Sequence, residues 1–176
     1  MSAVAIEVVL LMGVSGSGKT TVGERLARDL GWDFVDGDDL HSAANVAKMK
    51  AGHGLTDADR DGWLASIERV LDERLAAQRS AVVACSALKR SYRERLVRGR
   101  PKVRIVYLAG DETLLRERIG ARRGHFAGAD LLSSQLATLE EPSADEAIPR
   151  ISIEPPPEEI SGAIREALGL GAARGT

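Results

Sequence analysis

The chain has 176 residues, 44% apolar and 28% charged, with a formal net charge of -2. That is room for one domain on the usual scale of roughly 100–200 residues each, and too balanced a composition for wholesale disorder. A pI near 6.0 gives no bulk attraction to nucleic acid or anionic lipid, and aromatic residues at 3% are too few for a base-stacking surface. The single cysteine, Cys85, excludes an internal disulfide and fits a reducing cytoplasmic setting. The apolar stretch Val4–Met12 is broken by Glu7, lacks a basic flank and is too short to span a membrane.

The run Ile6–Met12 reads as a buried strand that leads straight into glycines. Val22, Leu26, Ala27 and Leu30 then form a helical stripe, which Gly31 stops. Asp33–Val35 reads as a second strand, and Leu64, Ile67, Leu71 and Leu75 mark a second apolar stripe. Ala81–Cys85 is a third strand, followed by a helix carrying Leu88, Tyr92 and Leu96 that ends near Gly99. Val103–Leu108 is a fourth strand, and Leu114, Leu115 and Ile119 follow Asp111, an N-cap. Arg150–Ile153 is the fifth strand. Pro157, Glu158 and Glu159 open a last helix with Ile160, Ile164 and Leu168 on one face. Strands alternating with helices imply an α/β fold whose parallel sheet is covered on both sides. Ligands of such sheets bind beyond the carboxyl ends of the strands. One domain is expected over residues 1–168, with 169–176 a tail small and polar enough to fray.

At that edge lies Gly13-Val14-Ser15-Gly16-Ser17-Gly18-Lys19-Thr20, which fits G-x-x-x-x-G-K-[ST] between a strand and a helix, the context the motif requires. Its glycines let backbone N–H groups approach phosphate oxygens, and the helix N-terminus adds partial positive charge. Lys19 is placed to reach the β- and γ-phosphates of a nucleotide and the Thr20 hydroxyl to ligate Mg2+; Thr21 continues the loop into the helix.

The second strand ends in Asp36-Gly37-Asp38-Asp39, facing the same crevice. Of these carboxylates, one can support the magnesium water shell while the other accepts a proton from an attacking hydroxyl. Asp38 reads as functional and Asp39 as the cap of a helix beginning near Leu40. His41, Asn45 and Lys48 share one polar helical stripe, and Lys89, Arg90 and Arg93 follow the third strand. By pattern alone the first group reads more readily as a solvated face than as a ligand grip, and the second equally as either. Cys85 reads as core. Arg116, Arg118, Arg122 and Arg123 crowd one helix ahead of Gly124-His125-Phe126, with glycines at 120, 124 and 128. Like charges at i and i+4 oppose helix formation, and an anionic partner removes the conflict, so the segment reads as a lid that brings guanidinium groups onto phosphate.

With these pieces placed, the chain resembles a gluconate kinase of the small P-loop type, a relative of shikimate and adenylate kinases. The passages that carry the resemblance are LMGVSGSGKTT, FVDGDDLH with Asn45 and Lys48, LTDADRDGWL, CSALKRSYR, and RRGHF followed by LLSSQLATLEEPSADE. It implies a P-loop NTPase-type three-layer sandwich with a five-stranded parallel sheet, a mobile substrate-side helical region at about 40–75 and a lid at about 120–134. It implies ATP-dependent phosphorylation of D-gluconate at its 6-hydroxyl, with a related acceptor (shikimate or a nucleoside monophosphate) or a nucleotide-driven switch as the alternatives. By position, Lys19, Asp38 and Arg122 are the expected catalytic residues, and Thr20 and Asp36 the expected magnesium supports. Residues 13–21 with Arg118, over the adenine, and Arg122, on the phosphates, are expected to hold the nucleotide. Asp38, His41, Asn45, Lys48, Lys89, Arg93 and His125 are expected to hold the sugar acid. No nucleic-acid or membrane partner is implied, and homodimers are common in the family. The chain departs from the family pattern at Ser42, Gly54 and Gly62, where proline is expected.

Overall fold

Five apolar runs become five parallel strands in the computed structural model, which describes residues 7–121 and 126–171. They are β1 (Val8–Met12), β2 (Asp33–Asp36), β3 (Ala81–Ala84), β4 (Val103–Ala109) and β5 (Arg150–Ser152), in the order β2-β3-β1-β4-β5. The register pairs Leu10 with Val83 on one side and with Ile105 on the other, which puts β1 at the centre. Every side chain of β1 is fully buried, as a central parallel strand requires when both faces are covered.

Strand alternation divides the core in two. Val9, Leu11, Val82, Val106 and Leu108 point to one face, under α1 (Lys19–Leu30) and α7 (Pro157–Leu168), whose Leu26, Leu30, Ile160 and Ile164 complete that layer. Val8, Leu10, Val83, Ile105 and Tyr107 point to the other, under α3 (Asp57–Ala76) and α4 (Arg90–Val97), which supply Leu64, Ile67, Leu71 and Leu96. Each such aliphatic side chain contributes roughly 1.5–3 kcal/mol by leaving water. The expected three-layer sandwich is the observed one.

Three further helices surround the ligand edge: α2 (Ala43–Lys50), α5 (Glu112–Gly120) and α6 (Phe126–Thr138). Capping fixes where several helices begin. Asp111 accepts the Leu114 amide at 2.8 Å, as expected from the sequence. Thr56 and Asp59 form a reciprocal capping box at the start of α3. Ser42, which stands where the resemblance leads one to expect proline, accepts the Asn45 amide at 3.2 Å and caps α2. The expected cap at Asp39 is corrected. A short 3-10 turn, Gly37–Leu40, intervenes, and Asp36 caps it, so Asp39 is left exposed with no capping role. Among the described residues no helix is long and apolar enough to cross a membrane.

Candidate active site

The loop after β1 turns tightly into α1, with Gly18 at φ 86°, a left-handed conformation that side-chain-bearing residues rarely adopt. No side chain caps α1, and a helix N-terminus suits an anion. Lys19 folds back over the loop and donates from Nζ to the carbonyls of Gly13 at 2.9 Å and Val14 at 3.1 Å. The Thr20 hydroxyl donates to Asp36 Oδ2 at 2.7 Å, and the other oxygen of Asp36 accepts the Asp38 amide at 3.0 Å. The end of β2 is thereby tied to the first turn of α1. A hydroxyl and a carboxylate side by side are oxygen donors of the kind a hard divalent cation takes. Among the described residues there is no group of three or more His, Cys, Asp or Glu side chains able to hold a metal. The pair therefore suits Mg2+, which usually keeps its waters and relies on one or two carboxylates and substrate phosphates.

Beside the loop lies a small cavity lined by Ser15, Lys19, Asp38, His41, Arg60 and Ser86 and, from α6, by Leu131 and Gln135. His41 stacks on Trp63 with ring centroids 4.4 Å apart and 10° between the planes. Trp63 is itself held by donating to the Gly37 carbonyl at 2.7 Å. Burial pushes the His41 imidazole below its ordinary 6.5, against the opposing pull of the nearby Asp38 carboxylate. Asn45 sits behind this ring, with its amide nitrogen 3.4 Å from His41 Nδ1 and donating to the Asp59 carbonyl at 2.8 Å. It positions the wall rather than forming it.

Arg60 is the residue that sequence reasoning missed. It is 6% exposed, its Nη1 lies 3.4 Å from the Tyr92 hydroxyl, and its guanidinium is 5.7 Å from the centre of the Tyr92 ring. Among the described residues no carboxylate stands within ion-pairing distance of it. Asp57, close enough to sense its charge, is taken by Lys89 and by the Tyr92 hydroxyl. A buried cation facing a cavity and lacking a carboxylate is a site for an anion. The signal was present: Arg60 shares the helical spacing of Leu64, Ile67 and Leu71 and places a charge on the buried stripe of α3.

Other expected grips have different partners. Lys48 pairs with Asp59 at 2.8 Å and Lys89 with Asp57 at 2.8 Å, and neither lines the cavity. Arg93 also has partners within the fold. It is 1% exposed, reaches Glu146 through Nε and Nη2 at 2.7 and 2.8 Å, and donates from Nη1 to the carbonyls of Ala87 and Leu88. Its Nε and Nη2 tie α4 to the turn before β5, and its Nη1 braces the loop after β3 from behind. Arg122 and His125 lie outside the described residues.

A second recess of about 290 Å³ opens on the far side of the loop, between Gly16, Thr21, Arg118, Pro155 and Pro157. Arg118 Nη2 donates to the Ile153 carbonyl at 2.5 Å, which holds its planar guanidinium across the mouth. Pro155 comes from the loop after β5, the part of the site least legible in the sequence, and Pro157 opens α7. Cys85 lies under the cavity floor, fully buried, and desolvation lifts its thiol to about 12. It is packing, not chemistry.

The AAA domain family profile matches residues 8–142. The chain is 49% identical over 152 residues to a gluconokinase of Gluconobacter oxydans, covering 86% of this chain and 85% of that protein. Among solved structures it is similar to a gluconokinase from Sinorhizobium meliloti, at 45% identity and TM-score 0.79 over 93% of this chain and 90% of that one. It is also similar to an unliganded sugar kinase from Janibacter, at 41% identity and TM-score 0.87 over 94% and 96%. With these relatives, and with a phosphate loop, an acidic strand end and a cavity lined by the buried Arg60, the chain belongs to the gluconokinase family of P-loop kinases.

Proposed function

We propose that the protein transfers the γ-phosphoryl group of ATP to the 6-hydroxyl of D-gluconate, giving 6-phosphogluconate and ADP. The observation that carries this reading is one cavity lined together by Ser15 and Lys19 of the phosphate loop, by Asp38 and by the buried Arg60. A sugar acid presents an anion at one end and a primary hydroxyl at the other. Arg60 suits the carboxylate through a two-pronged guanidinium contact. The flat face of His41, stacked on Trp63, suits the carbon chain, and neutral His41 can exchange hydrogen bonds with its hydroxyls.

In the reaction the hydroxyl oxygen bonds to the γ-phosphorus while the bond to the β–γ bridging oxygen breaks and its electron pair leaves with ADP. Asp38 is the acceptor for the hydroxyl proton, and alignment of the reacting oxygen supplies much of the rate. Lys19 and the loop amides stabilise the charge on the phosphates. Thr20 and Asp36 are the residues that would support Mg2+, which supplies charge neutralisation across the β- and γ-phosphates when bound. Arg118 suits the adenine face and Arg122 the transferring phosphate. A cytoplasmic homodimer belongs to the same reading.

The test is ADP release measured with no acceptor and then with gluconate, shikimate and AMP in turn. Strong stimulation by gluconate alone is expected, with a product phosphorylated at the 6-position. Stimulation by shikimate or AMP instead would replace the acceptor, and release indifferent to any acceptor would replace the reaction.

A further inference from the structure

We propose that Gln135 is a positioning residue: its carboxamide latches α6 to the phosphate loop and so favours the sugar acid over water as the phosphoryl acceptor. This rests on the reading of the cavity between Asp38 and Arg60 as the acceptor site.

The latch is a single contact between distant parts of the chain. Gln135 Oε1 accepts the backbone N–H of Ser15, in the middle of the phosphate loop, at 2.6 Å. Leu131, one turn earlier on α6, faces the same cavity, so the bond fixes the wall that carries it. On its other flank α6 seats against the loop between α2 and α3. A methyl group placed on Gly54 would overlap the Ser134 hydroxyl, so the backbone there meets α6 with no room to spare.

The closed arrangement is too tight for the substrate to enter. The cavity measures about 80 Å³, whereas small-molecule pockets begin at roughly 300 Å³. Admitting a six-carbon acid requires α6 to lift and then return. The helix is built for that: Leu132 is its only fully buried apolar side chain among the described residues, so little core anchors it. One hydrogen bond between neutral groups is weak enough to break and remake in each cycle. Its return closes the cavity around the acceptor and removes water.

Water and the sugar hydroxyl compete for the same activated phosphorus. With water, its oxygen bonds to the γ-phosphorus, the bond to the β–γ bridging oxygen breaks with the electron pair leaving on ADP, and the water proton is lost to solvent through inorganic phosphate. With the sugar, the product is the phosphate ester. Both routes use the same loop and Lys19, so any general loss of catalytic power lowers them together. Only a change in who occupies the acceptor position alters their ratio.

The experiment measures ADP formed and phosphogluconate formed in the same reaction, at saturating gluconate. Gln135→Met keeps the side-chain length and removes the acceptor oxygen. Gly54→Ala presses on α6 from the opposite flank without touching Gln135. The expected result is about one ADP per phosphogluconate for the parent, rising at least roughly threefold in both variants, with a raised KM for gluconate. A parental ratio in both variants overturns the latch, because a merely structural contribution slows both routes without changing their partition. A parent that hydrolyses ATP but makes no phosphogluconate overturns instead the acceptor-site reading on which the latch depends.

Discussion

Arg93 and Glu146, fifty-three residues apart, meet in a two-pronged ion pair at 2.7 and 2.8 Å with both side chains buried. The pair joins α4 to the turn before β5, while the third nitrogen of Arg93 holds the Ala87 and Leu88 carbonyls of the loop that carries Ser86 into the cavity. A cation that follows a strand at the ligand edge is thus used to hold the site's frame.

The first prediction follows from that pair. Breaking a buried ion pair from one side leaves an uncompensated charge, so Arg93→Met and Glu146→Gln should each lower stability by about 3 kcal/mol. Gluconate KM should change little in whatever fraction remains folded. The Arg93 guanidinium holds the Glu146 carboxyl below its ordinary 4.5. For a depressed carboxylate the stabilisation is complete above about that value and is lost as pH falls through the lower folded one. Urea titrations between pH 7 and 3 should show the parent converging on Glu146→Gln at the acid end. Equal stability at pH 7 would sink the structural role.

Arg60 carries the opposite expectation. Arg60→Gln should leave the nucleotide side intact and raise the gluconate KM by about thirtyfold or more, the cost of removing one partner of a hydrogen-bonded charge pair. Arg60→Lys should recover only part of it, since an ammonium lacks the planar fork. Steady-state kinetics with ATP and gluconate varied separately decides the point. An unchanged gluconate KM in Arg60→Gln removes the carboxylate from that wall.

Asp38 and Asp39 make a paired test. Both are exposed, but Asp38 lines the cavity, whereas Asp39 does not and caps nothing. Asp38→Asn keeps the shape and removes the proton acceptor, so kcat should fall by roughly 10²–10⁴ with ADP affinity nearly unchanged. Asp39→Asn should behave as the parent. The reverse pattern places the acceptor carboxylate one residue further along the chain.

His41 gives a pH signature. Its imidazole is held below 6.5 chiefly by burial. The unfolded chain therefore takes up a proton near 6.5 that the folded chain still refuses. With more protons bound in the unfolded state, stability falls as pH drops from 6.5 toward the lower folded value. His41→Gln should flatten that part of the stability profile, measured by denaturant midpoints from pH 7.5 to 5.5. A slope identical to the parent's places its proton uptake elsewhere.

The sequence by itself determined the five strands, the helices that cover them and the phosphate loop, because each depends on local pattern: apolar runs, helical spacing, and glycines at fixed distances from Lys19 and Thr20. Asp36 and Asp38 were legible for the same reason, since the end of a parallel strand has only one edge to face. The partners of the cations were decided by the tertiary structure alone. Lys48, Lys89, Arg60 and Arg93 all look alike in sequence, yet Asp59, Asp57 and Glu146 take three of them and leave Arg60 facing the cavity without a carboxylate within ion-pairing distance among the described residues. The same holds for Gln135, whose meaning comes from an amide 120 residues away. Charge and hydrogen-bonding capacity are written in the residue; which group satisfies them depends on distances that exist only after the chain has packed.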